Sequence, residues 1–357
     1  MKMTNTSRVL TAGLSRRAFV GASLASAATL VLAGCNSGSG SADGTADASS
    51  DSKAASGEKT KITFCLDYTP NTNHTGIYVA QNKGFFADEG LEVEIVQPAD
   101  GTAEGAIGTG QAQLGVSYQD YLAAAYDAGN TGLTAVAAVI QHNTSGIMSR
   151  AEDGITHAAL MEDHVYTTWD MAVEQATIKQ VMTTDGGDFS KLKMVPFTVD
   201  DEVQGLKANM FDCVWVYEGW AVQNAAVQDY PVNYFSFKDM DDVFDFYTPV
   251  LAANNDFMKS NPDAVKAFLR AAKKGYEFAV EHPEDAAQIL CDEVPELDSA
   301  LVEASAKYLA DQYTADASSW GVIDGKRWAA YFQWLNDNDL VENKLDVNAG
   351  FDTSYLA

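Results

Sequence analysis

The chain has 357 residues, of which 46% are hydrophobic, so it is long enough for two domains or one large bilobed domain. Asp and Glu number 50 against 23 Lys and Arg, which gives a net charge of -27 at pH 7. This excess argues against a nucleic-acid partner and against electrostatic docking on anionic lipid, because both need clustered cations. The four cysteines form no Cys-x-x-Cys pair, which disfavours a zinc ribbon or a thioredoxin-like motif.

The first 34 residues have the order of an export signal. They contain basic residues and no acid, and an apolar stretch covers residues 20–33. The adjacent pair Arg16 and Arg17, with Phe19 two positions later, predicts a twin-arginine signal. The apolar stretch is too short for a comfortable membrane span.

The segment closes with Leu32-Ala33-Gly34-Cys35, which resembles the lipobox of bacterial lipoproteins. That resemblance implies acylation of the Cys35 thiol and cleavage just before it; an ordinary signal peptide with a coincidental cysteine is the weaker alternative. Residues 35–58 are mainly Gly, Ser, Ala and Asp, a composition typical of a flexible linker. We therefore expect an extracytoplasmic protein that is anchored to the cell membrane through Cys35.

From residue 59 onward the pattern predicts alternating strands and helices, as in a parallel α/β sheet. The strands expected first are 61–67, 91–96, 112–117 and 133–141. The helices between and after them are 75–83, 102–110 and 119–128. Several of these helices end at a glycine, which favours the assigned boundaries.

The middle of the chain repeats this alternation before a helical region begins. Strands are predicted at 165–167, 193–197, 211–217 and 232–237, and helices at 170–183, 201–209 and 218–228. Asp170 is expected to cap the first of these helices. The remaining helices are 261–281, 283–291, 299–311 and 326–338, with Pro262 at a first helical position. Two α/β lobes with a helical C-terminal region follow from this order.

Residues 66–80 (LDYTPNTNHTGIYVA) are distinctive, and they resemble the opening of the thiamine-pyrimidine precursor-binding proteins of ABC importers. This group shares a superfamily with the eukaryotic thiamine-pyrimidine synthases and with sulfonate-binding proteins. Further similar blocks are KGFF at 83–86, EGL at 89–91, YTTW at 166–169 with Glu174, and FDCVWVYEGW at 211–220. Together they span about residues 60–290.

The resemblance implies a type II periplasmic-binding-protein fold with two lobes joined by a double crossover hinge. Lobe 1 is expected to comprise 59–145 and 250–357, and lobe 2 to comprise 146–249, with crossings near 143–146 and 247–253. The implied ligand is an aminopyrimidine, such as hydroxymethylpyrimidine or its formylamino precursor, held between the lobes. The implied partners are an ABC permease and its ATPase; we expect a monomer without cofactor or metal.

An aminopyrimidine needs an aromatic slot with polar groups at its edge, and open α/β sheets bind ligands at strand ends. The candidates lie in or just after the ends of predicted strands or near the starts of predicted helices; they are Asp67, Tyr68, Asn73, His74, Ser117, Tyr118, Gln119, Thr168, Trp169, Trp215, Tyr217 and Glu218. Asp67 and Glu218 are expected to accept from an amine, and Tyr68 to stack on the ring. Thr168 and Trp169 are expected to close the slot from lobe 2.

Structural roles stay open for several of these candidates. Asp67 has a turn or capping role as its alternative, and Asn73 and His74 have helix capping. Ser117 can cap a helix or bond the ligand. Trp215 and Tyr217 share one strand face because their spacing is two, and the alternative for Trp215 is the core.

Two other classes of function remain open. The segments that carry the candidates contain no Lys or Arg, which favours a neutral or weakly cationic ligand and weakens the sulfonate-binding alternative. A riboflavin or another heterocycle stays possible on the same fold. The synthase relatives use a cysteine cluster, whereas Cys213 stands alone, and no HExxH, GxSxG or P-loop occurs. We therefore expect a binding protein and no enzyme activity.

Overall fold

The computed structural model describes residues 59–98, 102–197 and 201–356. The predicted signal peptide 1–34, Cys35 and the linker 35–58 lie outside the described residues. The strands are β1 Thr60–Cys65, β2 Leu91–Val96, β3 Leu114–Ser117, β4 Leu133–Ala138, β5 Ser145–Arg150, β6 Val165–Thr168, β7 Lys193–Pro196, β8 Cys213–Tyr217, β9 Val232–Ser236 and β10 Val250–Asn254.

The helices alternate with these strands and then continue alone toward the C-terminus. They are α1 Thr75–Asn82, α2 Phe85–Asp88, α3 Ala103–Gly108, α4 Gln119–Asp127, α5 Ala172–Thr184, α6 Glu202–Lys207, α7 Gln223–Val227, α8 Phe237–Met240, α9 Asn255–Ser260, α10 Pro262–Glu281, α11 Pro283–Glu293, α12 Ser299–Ala310 and α13 Gly325–Asp337. Among the described helices, none is both long and apolar enough to cross a membrane.

Two five-stranded sheets form the centres of two α/β lobes, which confirms the predicted fold class. The sheet of lobe 1 has the order β2-β1-β3-β10-β4, and the sheet of lobe 2 has the order β7-β6-β8-β5-β9. The chain leaves lobe 1 after β4 and returns to it at β10. Each sheet therefore contains a strand that arrives from the other lobe.

The prediction of purely parallel sheets is wrong, because these arriving strands are antiparallel to their neighbours. β10 runs antiparallel to β3 and β4, and β5 runs antiparallel to β8 and β9. Both strands were also missed in the sequence. Every residue in β5 and β10 is buried, so neither strand shows the alternation that marks a half-buried strand.

Two helix boundaries also differ from the prediction. Asp170 does not cap α5: its φ is 61°, in the left-handed region, and the helix begins after Met171. The helix predicted at 218–228 is divided into a π-helical turn, Glu218–Val222, and the short α7. Such π-helical segments often occur at functional sites. Here the turn directly follows β8.

The two crossings between the lobes are held together by an ionic cluster. His142 on the outgoing crossing lies 2.7 Å from the Asp245 carboxylate on the return crossing. Arg327, at the start of α13, donates to Asp245 at 2.9 Å and to the Gln141 carbonyl at 2.6 Å. These contacts tie both crossings to lobe 1.

Close packing in lobe 1 positions α1 and the loop before it. A Cβ on Gly275 of α10 would lie 1.9 Å from the carbonyl oxygen of Gly76 in α1, so the two helices approach this closely only without a side chain. Tyr276, next on α10, donates a hydrogen bond to the Asn73 carbonyl at 2.8 Å. The residues 72–74 are thereby fixed against the lobe.

Candidate functional site

The predicted site residues gather at two rims that face each other, one on each lobe. In lobe 1, β1 and β3 are parallel neighbours, so Asp67 and Tyr118 follow adjacent strand ends. In lobe 2, β6 and β8 are parallel neighbours, so Trp169 and the Trp215–Tyr217 segment lie side by side. Carboxyl ends of parallel strands are the usual place for ligands in open α/β sheets.

A buried hydrogen-bond network centred on Asp67 forms the rim of lobe 1. The Asp67 carboxylate accepts from His74 Nε2 at 2.6 Å and from the Tyr118 hydroxyl. His74 Nδ1 in turn accepts from the backbone N–H of Asn71 at 3.1 Å, so the ring proton lies on Nε2. The side chain of Asp67 is 6% exposed and that of His74 is fully buried.

This network sets the charge state of the rim. Burial by itself would raise the pKa of Asp67, but the hydrogen bonds from His74 and Tyr118 outweigh it and lower that pKa. Burial, followed by the neighbouring Asp67 carboxylate, raises the pKa of Tyr118 well above its ordinary value. At neutral pH the rim therefore holds a carboxylate beside a neutral phenol.

Aromatic rings form the rim of lobe 2. The Trp169 ring lies 5.6 Å from the Trp215 ring, which contacts Phe237 at 4.4 Å. Trp169 is 47% exposed, whereas Trp215 is 8% exposed. This rim offers an apolar aromatic surface on which Trp169 is in contact with solvent and Trp215 is buried.

The position of Trp169 depends on Glu174, a buried carboxylate beneath the rim. Glu174 accepts from the Tyr166 hydroxyl at 2.6 Å and from the Thr168 hydroxyl at 2.8 Å. It also accepts from the backbone N–H of Trp169 at 3.0 Å. Thr168 is thus engaged in this structural network, which does not favour the ligand contact predicted for it.

Two aromatic side chains meet between the rims. The rings of Tyr118 from lobe 1 and Tyr217 from lobe 2 are stacked at 6.4 Å with an angle of 22° between their planes. The two rims are therefore in aromatic contact with each other at this point.

Helix α12 joins the lobes beside these rings. Tyr308 donates to the Glu218 carboxylate at 2.7 Å. Ser305 donates to the Gly219 carbonyl and lies 2.6 Å from the Thr72 hydroxyl. Glu218, predicted to accept from a ligand amine, thus already has one of its oxygens engaged by lobe 1.

Two predicted site residues of lobe 1, Ser117 and Gln119, use their side chains in hydrogen bonds within the protein. The Ser117 hydroxyl donates to Glu104 at 2.6 Å, and the residue at the cap position of α4 is Tyr118, so capping by Ser117 is wrong. Gln119 is buried; its amide donates to the Trp328 carbonyl at 2.8 Å and accepts from the Tyr247 N–H at 3.0 Å. Gln119 therefore braces the hinge, which does not favour its predicted contact with a ligand.

Two further candidates lie near the rim of lobe 1. The capping role considered for Asn73 belongs to Asn71, whose side chain accepts from the Asn73 N–H at 2.9 Å. Tyr68 follows Asp67 and is 69% exposed. Its stacking on a ligand stays a prediction.

The sequence reasoning missed Asp120, which follows the motif Ser117-Tyr118-Gln119 directly. Asp120 lines a cavity of about 320 Å³ between α4 of lobe 1 and Val173 at the start of α5 in lobe 2, with Leu335 and Leu340 on its apolar side. Burial raises the pKa of Asp120 to about 6. An acidic residue in the first turn of a helix at a strand end was the sequence feature that marked it.

Cys65 and Cys213 are buried, and all three cysteines of the described ranges are free. Among the residues that the structure describes, no group of three or more His, Cys, Asp or Glu side chains is arranged to hold a metal ion.

The chain is similar to one described protein family and to several known proteins. A model of the family described as NMT1/THI5 like matches residues 71–286. The formylaminopyrimidine-binding protein of Halalkalibacterium halodurans is 27% identical over 298 residues, covering 80% of this chain and 88% of that protein. A 4-amino-5-hydroxymethyl-2-methylpyrimidine phosphate synthase of Saccharomyces cerevisiae is 24% identical over 252 residues, covering 68% of this chain and 73% of that protein.

Solved structures extend the comparison to the fold. The periplasmic aliphatic sulphonate binding protein of Escherichia coli superposes with a TM-score of 0.64 at 15% identity, covering 81% of this chain and 96% of that chain. The alkanesulfonate-binding protein of Xanthomonas axonopodis gives a TM-score of 0.63 at 11% identity, covering 83% and 99%. The two lobes thus have the periplasmic-binding-protein fold, as predicted.

Proposed function

The chain belongs to the NMT1/THI5-like family, and from that premise we propose that it is the extracytoplasmic substrate-binding protein of an ABC importer. Its ligand is a thiamine pyrimidine precursor of the hydroxymethylpyrimidine or formylaminopyrimidine type, captured between the two lobes. The relative from Halalkalibacterium halodurans, which is named for binding a formylaminopyrimidine, supports this choice of ligand.

The observation that carries the proposal is the meeting of two aromatic residues beside a buried carboxylate. Tyr118 and Tyr217 come from opposite lobes, and Tyr118 hydrogen-bonds to Asp67. A pyrimidine ring presents two π-faces for such residues and polar edges for the neighbouring groups. Because the two tyrosines belong to different lobes, a ligand between them favours the closed arrangement of the lobes.

Export and anchoring are part of the same proposal. The twin-arginine signal directs the folded protein across the membrane, and acylation of Cys35 holds it at the outer surface, where the linker 35–58 leaves the lobes free to reach a permease. Labelled fatty acid should enter the wild-type chain and not a Cys35→Ala variant. Equal labelling of both chains would contradict the anchor without affecting the ligand assignment.

The first experiment identifies the ligand. Full-length protein is extracted in mild detergent, denatured, and the small molecules that it releases are identified by mass spectrometry. The protein is then refolded without ligand and titrated with 4-amino-5-hydroxymethyl-2-methylpyrimidine in a calorimeter. We expect saturable binding with one site per chain; refolded protein that binds no pyrimidine would overturn the proposal.

The same experiment separates the alternatives. Release of a sulfonate or a flavin would retain the binding function and replace the ligand. A second candidate is the synthase activity named for the yeast relatives, one of which is 24% identical to this chain. Formation of a pyrimidine phosphate by the purified chain would support that candidate, and binding and release of an unchanged pyrimidine would contradict it.

A further inference from the structure

The carboxylates around the two rims differ in one respect, namely whether their buried oxygens have partners. Asp67 is bound by His74 and Tyr118, and Glu218 by Tyr308. Asp120 is the exception: its Oδ1 is buried and has no hydrogen-bond partner within the described ranges. A buried acceptor without a partner is unfavourable, so it indicates a group that pairs with it in the functional state.

A matching donor exists on lobe 2. The indole Nε1 of Trp215 is buried and has no partner among the residues of known placement, and Trp215 is 8% exposed. An indole nitrogen only donates. Lobe 1 thus contributes an unpaired acceptor and lobe 2 an unpaired donor.

Both groups lie in the segments that carry the two stacked rings between the lobes. Trp215 and Tyr217 project from the same face of β8, two residues apart, which corresponds to about 7 Å along a strand. Asp120 lies two residues after Tyr118, whose ring stacks with that of Tyr217 from the side of lobe 1. The unpaired acceptor and the unpaired donor therefore each lie two residues from one of the two facing tyrosines.

The surroundings of Asp120 add a preference for the ligand. The cavity of about 320 Å³ beside it is walled mostly by alanine, valine and leucine side chains, and its charged lining residues are all acidic. An anionic group is disfavoured there, and a neutral or protonated amine is favoured. With a pKa of about 6, Asp120 is ionised at pH 7.5 and acts only as an acceptor.

We propose that Asp120 and Trp215 are the specificity-determining pair of the site. Asp120 accepts a hydrogen bond from an amino group of the ligand, and Trp215 donates one to a ring nitrogen or carbonyl oxygen. The site therefore selects a flat heterocycle that carries a donor on one edge and an acceptor on another. This inference rests on the proposed function and names the residues that recognise the ligand.

The test combines a change in the protein with a change in the ligand. Wild type, Asp120→Asn and the control Asp263→Asn are titrated with 4-amino-5-hydroxymethyl-2-methylpyrimidine and with the analogue that lacks the amino group. Asp263 is a matched control because it is an exposed acid in the first turn of α10. Thermal melting of each protein shows that it is folded.

We expect Asp120→Asn to weaken binding of the amino compound by about 10- to 100-fold, because a charge-assisted hydrogen bond is lost. The analogue without the amino group should bind wild type about as weakly as the amino compound binds Asp120→Asn. It should bind wild type and Asp120→Asn with equal affinity. Asp263→Asn should stay within about twofold of wild type.

Trp215→Phe provides the second arm, since it keeps an aromatic ring and removes the donor. It should weaken both compounds by about tenfold. If wild type binds the amino compound and Asp120→Asn or Trp215→Phe binds it equally well, this inference is wrong and the proposed function stands. If wild type binds neither compound, both are wrong.

Discussion

The two rims of the site use polar groups in opposite ways. In lobe 1 the polar groups Asp67, His74 and Tyr118 reach the rim and satisfy one another there. In lobe 2 the polar network around Glu174 lies beneath the rim, and Trp169 and its neighbours present rings. The rim of lobe 1 is therefore preorganised by hydrogen bonds within it. The rim of lobe 2 is an aromatic surface that is held in place by the hydrogen-bond network of Glu174 beneath it.

The difference separates stability from binding. A buried network is costly to break because each orphaned donor loses its partner, so changes in the rim of lobe 1 should affect folding. Exposed rings contribute little to folding and more to contact with a ligand, so changes in the rim of lobe 2 should affect affinity. The predictions below test this contrast, from the largest expected change in stability to the smallest.

The largest effect is expected from Asp67→Ala. The change leaves two buried donors, on His74 and Tyr118, without their acceptor, and should lower the free energy of unfolding by about 3 kcal/mol. Urea unfolding measures it. Asp256→Ala is the control, since that side chain is 96% exposed and its loss should cost less than about 0.5 kcal/mol. Equal losses for both variants would remove the contrast between the rims.

Asp120 should behave in the opposite way, since one of its carboxylate oxygens, Oδ1, is buried without a partner among the described residues. Its pKa is raised by burial from 3.8 to about 6, so the folded chain binds more protons than the unfolded chain between these values. By linkage, wild-type stability falls as pH rises through this range, and the loss persists above it. Asp120→Asn should therefore stabilise the ligand-free protein by about 1–3 kcal/mol at pH 7.5.

The control for Asp120→Asn is the same comparison at pH 4, where the wild-type carboxyl is largely protonated in the folded chain. The stabilisation should disappear there. A difference in unfolding free energy that is the same at both pH values would show that the charge is not its cause.

A smaller effect is expected where the rims are linked. Tyr308→Phe removes the hydroxyl that donates to Glu218 from the other lobe, and should weaken ligand binding by about 1 kcal/mol through loss of the closed arrangement. Titration calorimetry and the radius of gyration from X-ray scattering measure it. Tyr126→Phe is the control, because the Tyr126 hydroxyl donates to the Leu133 carbonyl within lobe 1. Equal loss of affinity in both variants would contradict a linking role.

The smallest change in stability is expected from Trp169→Ala. Trp169 is 47% exposed, so its removal should change the free energy of unfolding by less than about 1 kcal/mol. Ligand affinity should nevertheless fall by about tenfold, because stacking on the aromatic rim is lost. A large loss of stability with unchanged affinity would reverse the assignment of the two rims.

Much of the fold was predictable because it depends on local patterns. Leu91–Val96 alternates between buried and exposed residues and was predicted with its observed bounds. Asn261 and Pro262 marked the start of α10, the longest of the described helices. The strands β5 and β10 could not be found in this way, because uniform burial erases the alternation and their partners come from distant parts of the chain.

The candidate site likewise has features that local sequence patterns predicted and features that they did not. The positions of Asp67 and Tyr118 at strand ends, and the pairing of Trp215 with Tyr217 on one strand face, follow from local spacing and were predicted. Which polar groups are already engaged was not predictable. The bond between Tyr118 and Asp67 joins residues 51 positions apart, and the bond between Tyr308 and Glu218 joins residues 90 apart.

The sequence by itself determined the alternating α/β order, the strand ends that carry the candidate site and the resemblance of residues 66–80 to a family of binding proteins. Only the tertiary structure decided that Asp67 is satisfied within lobe 1, that Gln119 braces the hinge and that Asp120 has a buried oxygen without a partner. The physical reason is that periodicity records how each residue is buried, whereas hydrogen-bond partners are chosen across the chain when the two sheets and their helices pack.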